Sequence, residues 1–288
     1  MNESDFIAAL RTLPLHAGAR ALEDDCAVLE LGGETLILTH DMMAEGTHFL
    51  ANQDMADVAW KLVATNLSDL AAKGAEPVGV MLGHCLSADD ERFLIGLHEA
   101  LNQFEVPLLG GDTISAGASR VFGLTAIGRA THLPVPDRGL AKPGDAVFVT
   151  GTLGRAMLGL EEIGSGSEND LAYRRPAPLL AEGRALAPHV SAMMDVSDGL
   201  LLDSWRIAVA SKVTLQLDSA AFPVADQARL DECIRWGDDY ELLFTAPEDC
   251  RLPVPAHRIG KVEKQGPAPL RVDGKILTPE DGIGYRHG

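Results

Sequence analysis

Acidic residues in this chain recur at the ends of apolar runs, and that placement restricts what it can fold into. Asp24-Asp25 precede Cys26-Ala-Val-Leu, and Asp41 closes the stretch that begins Leu36-Ile-Leu-Thr. Asp69 sits in Asn66-Leu-Ser-Asp-Leu, and Asp112 in Gly110-Gly-Asp-Thr. Asp195 and Asp198 bracket Val196-Ser197, and Asp238-Asp239 open Asp-Asp-Tyr-Glu-Leu-Leu-Phe. A carboxylate beside a core strand is costly unless something positive pairs with it. Few basic residues lie near these clusters along the chain, so a hard divalent cation is the expected partner. Mg²⁺ is held by a few carboxylates together with substrate phosphates. The pattern points to a magnesium-dependent enzyme acting on phosphorylated substrates.

Composition narrows the class. The chain has 288 residues, 46% of them hydrophobic, enough for one large domain or two of ordinary size. Aromatics are few at 5% and Gly numbers 29, which suits an α/β protein with many tight strand-to-helix turns. A net charge of −18 argues against nucleic-acid partners and anionic membrane surfaces. Cys26, Cys85, Cys233 and Cys250 form no C-x-x-C pair, so zinc and redox motifs are not expected. No basic, apolar leader opens the chain, and no uncharged apolar run approaches the roughly 18 residues of a membrane span. A soluble, cytoplasmic protein is expected.

Periodicity divides the chain into strands and helices. Cys26–Leu31 and Thr35–Thr39 read as strands joined by Gly32-Gly33, and Met55–Lys73 as a long helix stopped by Gly74. Val78–Leu82, Val106–Leu109 and Val121–Ile127 read as strands, the last two flanking a Gly110-Gly-Asp-Thr loop, and Asp89–Phe104 as an amphipathic helix. The Pro- and Gly-rich stretch from His132 to Asp145 marks a boundary, giving units 1–135 and 136–288. Further strands are expected at 146–150, 191–195, 213–217 and 242–245, and a helix at 199–210. The alternation lacks the regular beat of a Rossmann fold. The expected class is α/β with mixed sheets, arranged as a two-domain sandwich.

Several motifs admit a bland reading beside a functional one. Asp69 lies on a helix that is apolar around much of its circumference; it needs either a metal or an i,i+4 pair with Lys73. Ser197 or Asp198 can cap the helix near Gly199, and a helix N-terminus also attracts phosphate. Gly151-Thr-Leu-Gly can approach a phosphate or simply turn the chain. His48 and Asp238 sit in polar loops. No Walker-A, dinucleotide-binding or protein-kinase signature occurs.

In order and spacing, these segments resemble the thiamine-monophosphate kinase family, of the aminoimidazole ribonucleotide synthetase-like superfamily. The matching stretches are Glu23-Asp-Asp-Cys-Ala-Val-Leu, Thr39-His-Asp-Met-Met-Ala-Glu-Gly-Thr-His-Phe, Asn66-Leu-Ser-Asp-Leu-Ala-Ala-Lys-Gly-Ala, Gly110-Gly-Asp-Thr, Lys142-Pro-Gly-Asp, Val149-Thr-Gly-Thr-Leu-Gly, Asp195-Val-Ser-Asp-Gly-Leu and Gly237-Asp-Asp-Tyr-Glu-Leu. The resemblance implies ATP-dependent conversion of thiamine monophosphate to thiamine diphosphate, with Mg²⁺, by a homodimer. It implies metal contacts from Asp25, Thr39, His40, Asp41, Asp69, Asp112, Asp195 and Asp198. It implies ATP contacts from Gly111, Asp112, Arg138 and Ser197, and acceptor contacts from His48, Asp238 and Tyr285. No covalent nucleophile or general base is assigned. Glu23, where the family has Gly, and His40, where it often has Thr, depart from the pattern. A sister synthetase and a non-catalytic nucleotide- or metal-binding homologue are the alternatives.

Overall fold

The protein is described by a computed structural model covering residues 3–115, 117 and 120–286. After a short helix α1 (Glu3–Leu10), strands β1 (Ala27–Leu31) and β2 (Glu34–Ala44) form a hairpin. Helix α2 (Met55–Ala72) follows, its first turn capped by Asp54, whose side chain accepts the Ala56 N–H at 2.9 Å. Then come β3 (Ala75–Cys85), α3 (Asp90–Gln103), β4 (Leu108–Ile114) and β5 (Val121–Ala130). The five strands form one sheet in the order β1-β2-β5-β3-β4, antiparallel except between β3 and β4. Its core is built of Ile37, Leu62, Val63, Leu67, Phe122 and Leu124.

The second half contains β6 (Asp145–Val149), α4 (Arg155–Glu161), α5 (Glu168–Arg174), α6 (Leu180–Leu186), β7 (Ala192–Asp195) and α7 (Leu200–Ser211). It continues with β8 (Val213–Leu217), α8 (Leu230–Trp236), β9 (Leu242–Pro247), β10 (His257–Lys264), β11 (Leu270–Val272) and β12 (Lys275–Leu277). Seven strands make the second sheet, β12-β11-β8-β10-β6-β9-β7, parallel only between β11 and β8. Both sheets are mixed, as expected. No helix among the described residues is long and apolar enough to cross a membrane.

The Gly110-Gly-Asp-Thr segment is not the expected loop. It is the body of β4, paired in parallel with β3 so that Leu82 faces Gly111 and Gly83 faces Asp112. Gly111 has a φ of 156°, and a Cβ there would fall 1.9 Å from the Leu82 carbonyl oxygen. Glycine allows the strand to come this close, and a reading by strand propensity takes the same glycines for a turn.

Helix α2 positions the rest of the molecule. Every residue of it but Trp60 is buried. One side packs on β2, β3 and β5. The other meets the second half, where a Cβ on Gly183 of α6 would lie 2.0 Å from the Ala71 carbonyl oxygen. The polar residues Asp57, Lys61 and Ser68 recur at helical spacing on that second side. Asp57 accepts bonds from Arg174 and Arg175, each at 2.5 Å. Ser68 donates to Asp195 at 2.5 Å, and Lys61 pairs with Asp238 at the same distance.

Candidate metal and phosphoryl-transfer site

Asp69 is carried to the junction by α2, Asp195 by the end of β7, and Asp25 by the segment entering β1. One carboxylate oxygen from each lies within 4.8 Å of the others. Thr39 on β2 donates its hydroxyl to Asp69, and Ser68 donates to Asp195. The Asn66 side-chain oxygen accepts the backbone N–H of Asp41 at 3.0 Å and so fixes β2 against α2.

Burial pushes the Asp195 carboxyl up to about 8; the Asp25 charge adds to this, while the Ser68 hydrogen bond works against it. Burial likewise lifts Asp69 well above the usual carboxylate range, with Asp41, Asp195 and Asp25 adding to it. Asp41 is raised to about 6, first by burial and then by Asp25 and Asp198. Without a cation the cluster holds protons it would ordinarily release, and a bound cation inverts that balance.

The donor set fits a hard divalent ion. All donors are oxygen, and the carboxylates converge from three separate elements. One oxygen of Asp25 is buried without a hydrogen bond, the Lys73 ammonium standing 3.8 Å away, and so keeps lone pairs that an ion can take.

The expectation that basic residues are too few near the clusters is corrected by the structure. Lys73 reaches Asp24 at 2.6 Å rather than Asp69, so the i,i+4 alternative for Asp69 falls. Burial disfavours the charge on Asp24, but Lys73, Arg138 and Arg20 outweigh it and hold that carboxyl below its usual range. Arg138 pairs with Asp25 and stands 3.6 Å from Asp24. Arg20 pairs with Asp24 and also bonds the carbonyls of Val135 and Pro136. Lys73 and Arg138 lie 49 and 113 positions from the carboxylates they bond, which is why local inspection misses them, whereas Arg20 stands only four residues before Asp24. Asp41, Asp69 and Asp195 are instead raised by burial and by like-charged neighbours.

His40 and Asp112 do not join the cluster within the chain, a second correction. Strand alternation places Thr39 and Asp41 on the face toward α2 and His40 on the opposite face, where its Nδ1 lies 2.9 Å from the Thr125 hydroxyl. Register through Gly83 and Gly123 puts Asp112 on that same outer face, in line with the exposed Met42. Three strand spacings separate β4 from β2, about 14 Å. Gly111 shares the inner row with Asp41 at the same remove.

The Asp195–Gly199 turn is organised by two residues that the motifs did not mark. The helix α7 has Gly199 at its N-cap, and neither Ser197 nor Asp198 caps it. Instead Asp203 reaches back to the N–H groups of Ser197 and Asp198, at 3.2 and 3.1 Å. Arg206 then bridges Asp198 at 2.6 Å and Asp203 at 2.7 Å. An Asp eight residues after Asp195, one turn inside a buried helix, was the readable signal.

Further along the cleft, Asp238 bonds the Tyr240 hydroxyl at 2.8 Å as well as Lys61. Its backbone N–H donates to the Ser197 carbonyl, and the Asp198 carbonyl accepts the N–H of Tyr285 at 2.9 Å. The loop between α8 and β9 and the C-terminal tail thus both converge on the 197–198 turn. His48 lies in the turn after β2, its ring nitrogen accepting the Ala44 N–H at 3.1 Å. The Gly151-Thr-Leu-Gly turn is filled by protein: Asp239 takes the Gly154 N–H at 2.9 Å, and Thr150 donates to Glu241 at 2.6 Å. Carboxylates occupy the donors that a phosphate would need there.

Family models agree with this arrangement. The AIR synthase related protein N-terminal domain matches residues 23–130, and the C-terminal domain of the same family matches 142–269. A thiamine-monophosphate kinase of Escherichia coli (strain K12) is 36% identical over 250 residues, 78% of this chain and 75% of that protein. One from Methanospirillum hungatei JF-1 is 32% identical over 296 residues, 100% of this chain and 99% of that protein. A solved structure of AaThiL complexed with AMPPCP and TMP covers 100% of this chain and 97% of its own, at a TM-score of 0.86 and 28% identity. The Stenotrophomonas maltophilia K279a thiamine-monophosphate kinase structure reaches 0.77 at 33% identity, covering 95% and 96%. The chain therefore belongs to the AIR synthase related family, and within it to the thiamine-monophosphate kinases.

Proposed function

We infer that this chain transfers the γ-phosphoryl group of ATP to the phosphate of thiamine monophosphate, giving thiamine diphosphate and ADP. The observation that carries the reading is the convergence of half-buried Asp25 with buried Asp69 and Asp195 where α2, β7 and the segment entering β1 meet, in a chain matching a thiamine-monophosphate kinase along its full length. Mg²⁺ is the cation we assign, held by Asp25, Asp41, Asp69 and Asp195. When bound it supplies charge neutralisation for phosphate oxygens and for the carboxylates themselves.

The chain's own residues do the remaining work. An oxygen of the acceptor phosphate attacks the γ-phosphorus in line while the bond to the β–γ bridging oxygen breaks and ADP leaves. Such transfer depends on positioning and charge rather than covalent chemistry. A phosphate monoester is already largely ionised near neutral pH, with a second pKa of about 6, so no general base is needed. Arg138 and the Ser197–Asp198 turn are assigned to the ATP side, and His48, Asp238 and Tyr285 to the acceptor side. We take residues 1–135 and 136–288 as the two units flanking the cleft, and the cytoplasm, where ATP is supplied, as its location. A homodimer is inferred from the exposed Met42, Met81, Leu108, Leu109 and Ile114 on the first sheet, since apolar surface of this kind favours a partner.

Incubation with ATP, Mg²⁺ and thiamine monophosphate, followed by anion-exchange separation, tests the reading. Thiamine diphosphate and ADP should appear in equal amounts, and free thiamine should react poorly because it brings no anion and would need a base. ATP consumption with an aminoimidazole precursor alone would favour a sister synthetase. Nucleotide binding without turnover on either acceptor would leave a non-catalytic homologue.

A further inference from the structure

Lys61 lies outside every motif noted in the sequence, yet its side chain is buried at 1% exposure in the middle of α2. Its ammonium has two neighbours. One is Asp238, at 2.5 Å. The other is the ring of Tyr173, whose centroid lies 4.2 Å away and whose face covers the ammonium. A charge buried this deeply persists only when paired, so Asp238 is the partner that allows Lys61 to exist.

Asp238 is held from several sides. One oxygen accepts from Lys61 and the other from the Tyr240 hydroxyl. Its backbone sits at a φ of 62° and that of Tyr240 at 53°, a conformation that side-chain-bearing residues adopt at a cost. Its side chain nevertheless keeps 30% of its surface open. Each carboxylate oxygen has a second lone pair, so the open side can still accept a hydrogen bond. A carboxylate held from behind by two donors is fixed in orientation and presents its open side as an acceptor.

We propose that Lys61 is a positioning residue of the acceptor site, fixing Asp238 so that its open side accepts a hydrogen bond from an N–H donor on the acceptor substrate. The inference rests on the assignment of Asp238 to the acceptor side. The placement has a geometric logic. Lys61 and Asp69 are eight residues apart on one helix, about 12 Å along its axis. One rigid element thus sets the spacing between the carboxylate cluster and the carboxylate that meets the acceptor.

The test uses the full chain with thiamine monophosphate and ATP. Acceptor Kd is measured by calorimetry without ATP, and both KM values by coupled ADP assay, for Lys61→Met, Asp238→Asn and the double variant. Asp238→Asn should weaken acceptor binding about tenfold or more, the usual scale of a hydrogen bond to a charged group. Lys61→Met should do the same while the ATP KM stays within about twofold, and the double variant should be no worse than Asp238→Asn alone. An acceptor constant unmoved by Lys61→Met, an ATP KM that moves with it, or multiplied losses in the double variant would each overturn the inference. If Asp238→Asn itself leaves the acceptor untouched, the assignment of Asp238 fails first and takes the inference with it. Should Asp238→Asn not fold because it leaves the Lys61 ammonium unpaired, Lys61→Met and the double variant decide, because neither buries that charge. Equal acceptor losses in the two support the role, and a further loss in the double variant refutes it.

Discussion

Replacing Asp195 by Asn should make the metal-free protein more stable at alkaline pH and inactive at every pH. Asp195 is 2% exposed, and its carboxyl titrates at about 8 against an ordinary value of 3.8. The folded state therefore binds the proton more tightly than the unfolded chain. The stabilisation this gives is complete below pH 3.8 and is lost as pH rises through 8. At pH 8 the loss by linkage reaches about 5 kcal/mol, at 1.36 kcal/mol per pH unit. Asp25 and Asp41 cause part of the shift and respond to the same substitution, so about 2–3 kcal/mol of relief is expected for Asn. The Asn carbonyl can still accept the Ser68 hydroxyl. Urea unfolding in chelator at pH 5, 6.5 and 8 reads the effect. The variant should exceed the parent by an amount that grows with pH, and added Mg²⁺ should stabilise the parent more than the variant. A variant less stable than the parent at pH 8 in chelator, or a difference independent of pH, would refute the reasoning.

Three further outcomes are expected. His48→Ala should raise the acceptor KM several-fold and leave the ATP KM nearly unchanged, because lost uniform binding appears in KM; initial-rate kinetics in both substrates check this. Glu23→Gly should leave turnover within about threefold, since the side chain is exposed and pairs with Arg11 at 4.0 Å, and exposed ion pairs contribute about 1 kcal/mol at most; a titration of rate against Mg²⁺ would expose a larger role. Light scattering at micromolar concentration should give twice the chain mass of 30.6 kDa, and a fully active monomer would defeat the dimer.

Regular elements were legible where pattern and length agreed. The long helix was read as 55–73 and observed as Met55–Ala72, because a long apolar pattern ending at Gly admits little else. Helices α4, α5, α6 and α8 are seven residues each, too short for a period to declare itself. The pattern of carboxylates beside apolar runs points to a cation, and it is the family resemblance that names Asp25, Asp69 and Asp195, within a larger set, as the residues that meet. His40 and Asp112 illustrate the opposite case. Alternation along β2 already separates residue 40 from 39 and 41, and the outward face of β4 depends on a register that glycines conceal. The pairing of Arg138 with Asp25 spans 113 positions, so only the fold could reveal it. Lys61 was within reach, as the middle member of the polar stripe Asp57, Lys61 and Ser68 on a buried helix.

The burial of α2 on both sides bears on how this chain can be cut. The proposed boundary near residue 135 would divide the sequence without dividing the energy. Residues 1–135 made alone would present Asp57, Lys61, Ser68 and Lys73 to water along a face that also carries Ala71 and Ala72. Residues 136–288 alone would lose the partners of Arg174, Arg175, Asp195 and Asp238. Neither fragment keeps a complete interior, so the two halves should melt in a single transition. Exchange of one half between relatives would then succeed only if the polar stripe travels with its partners. The unit of inheritance here is the helix together with the four anchors it meets.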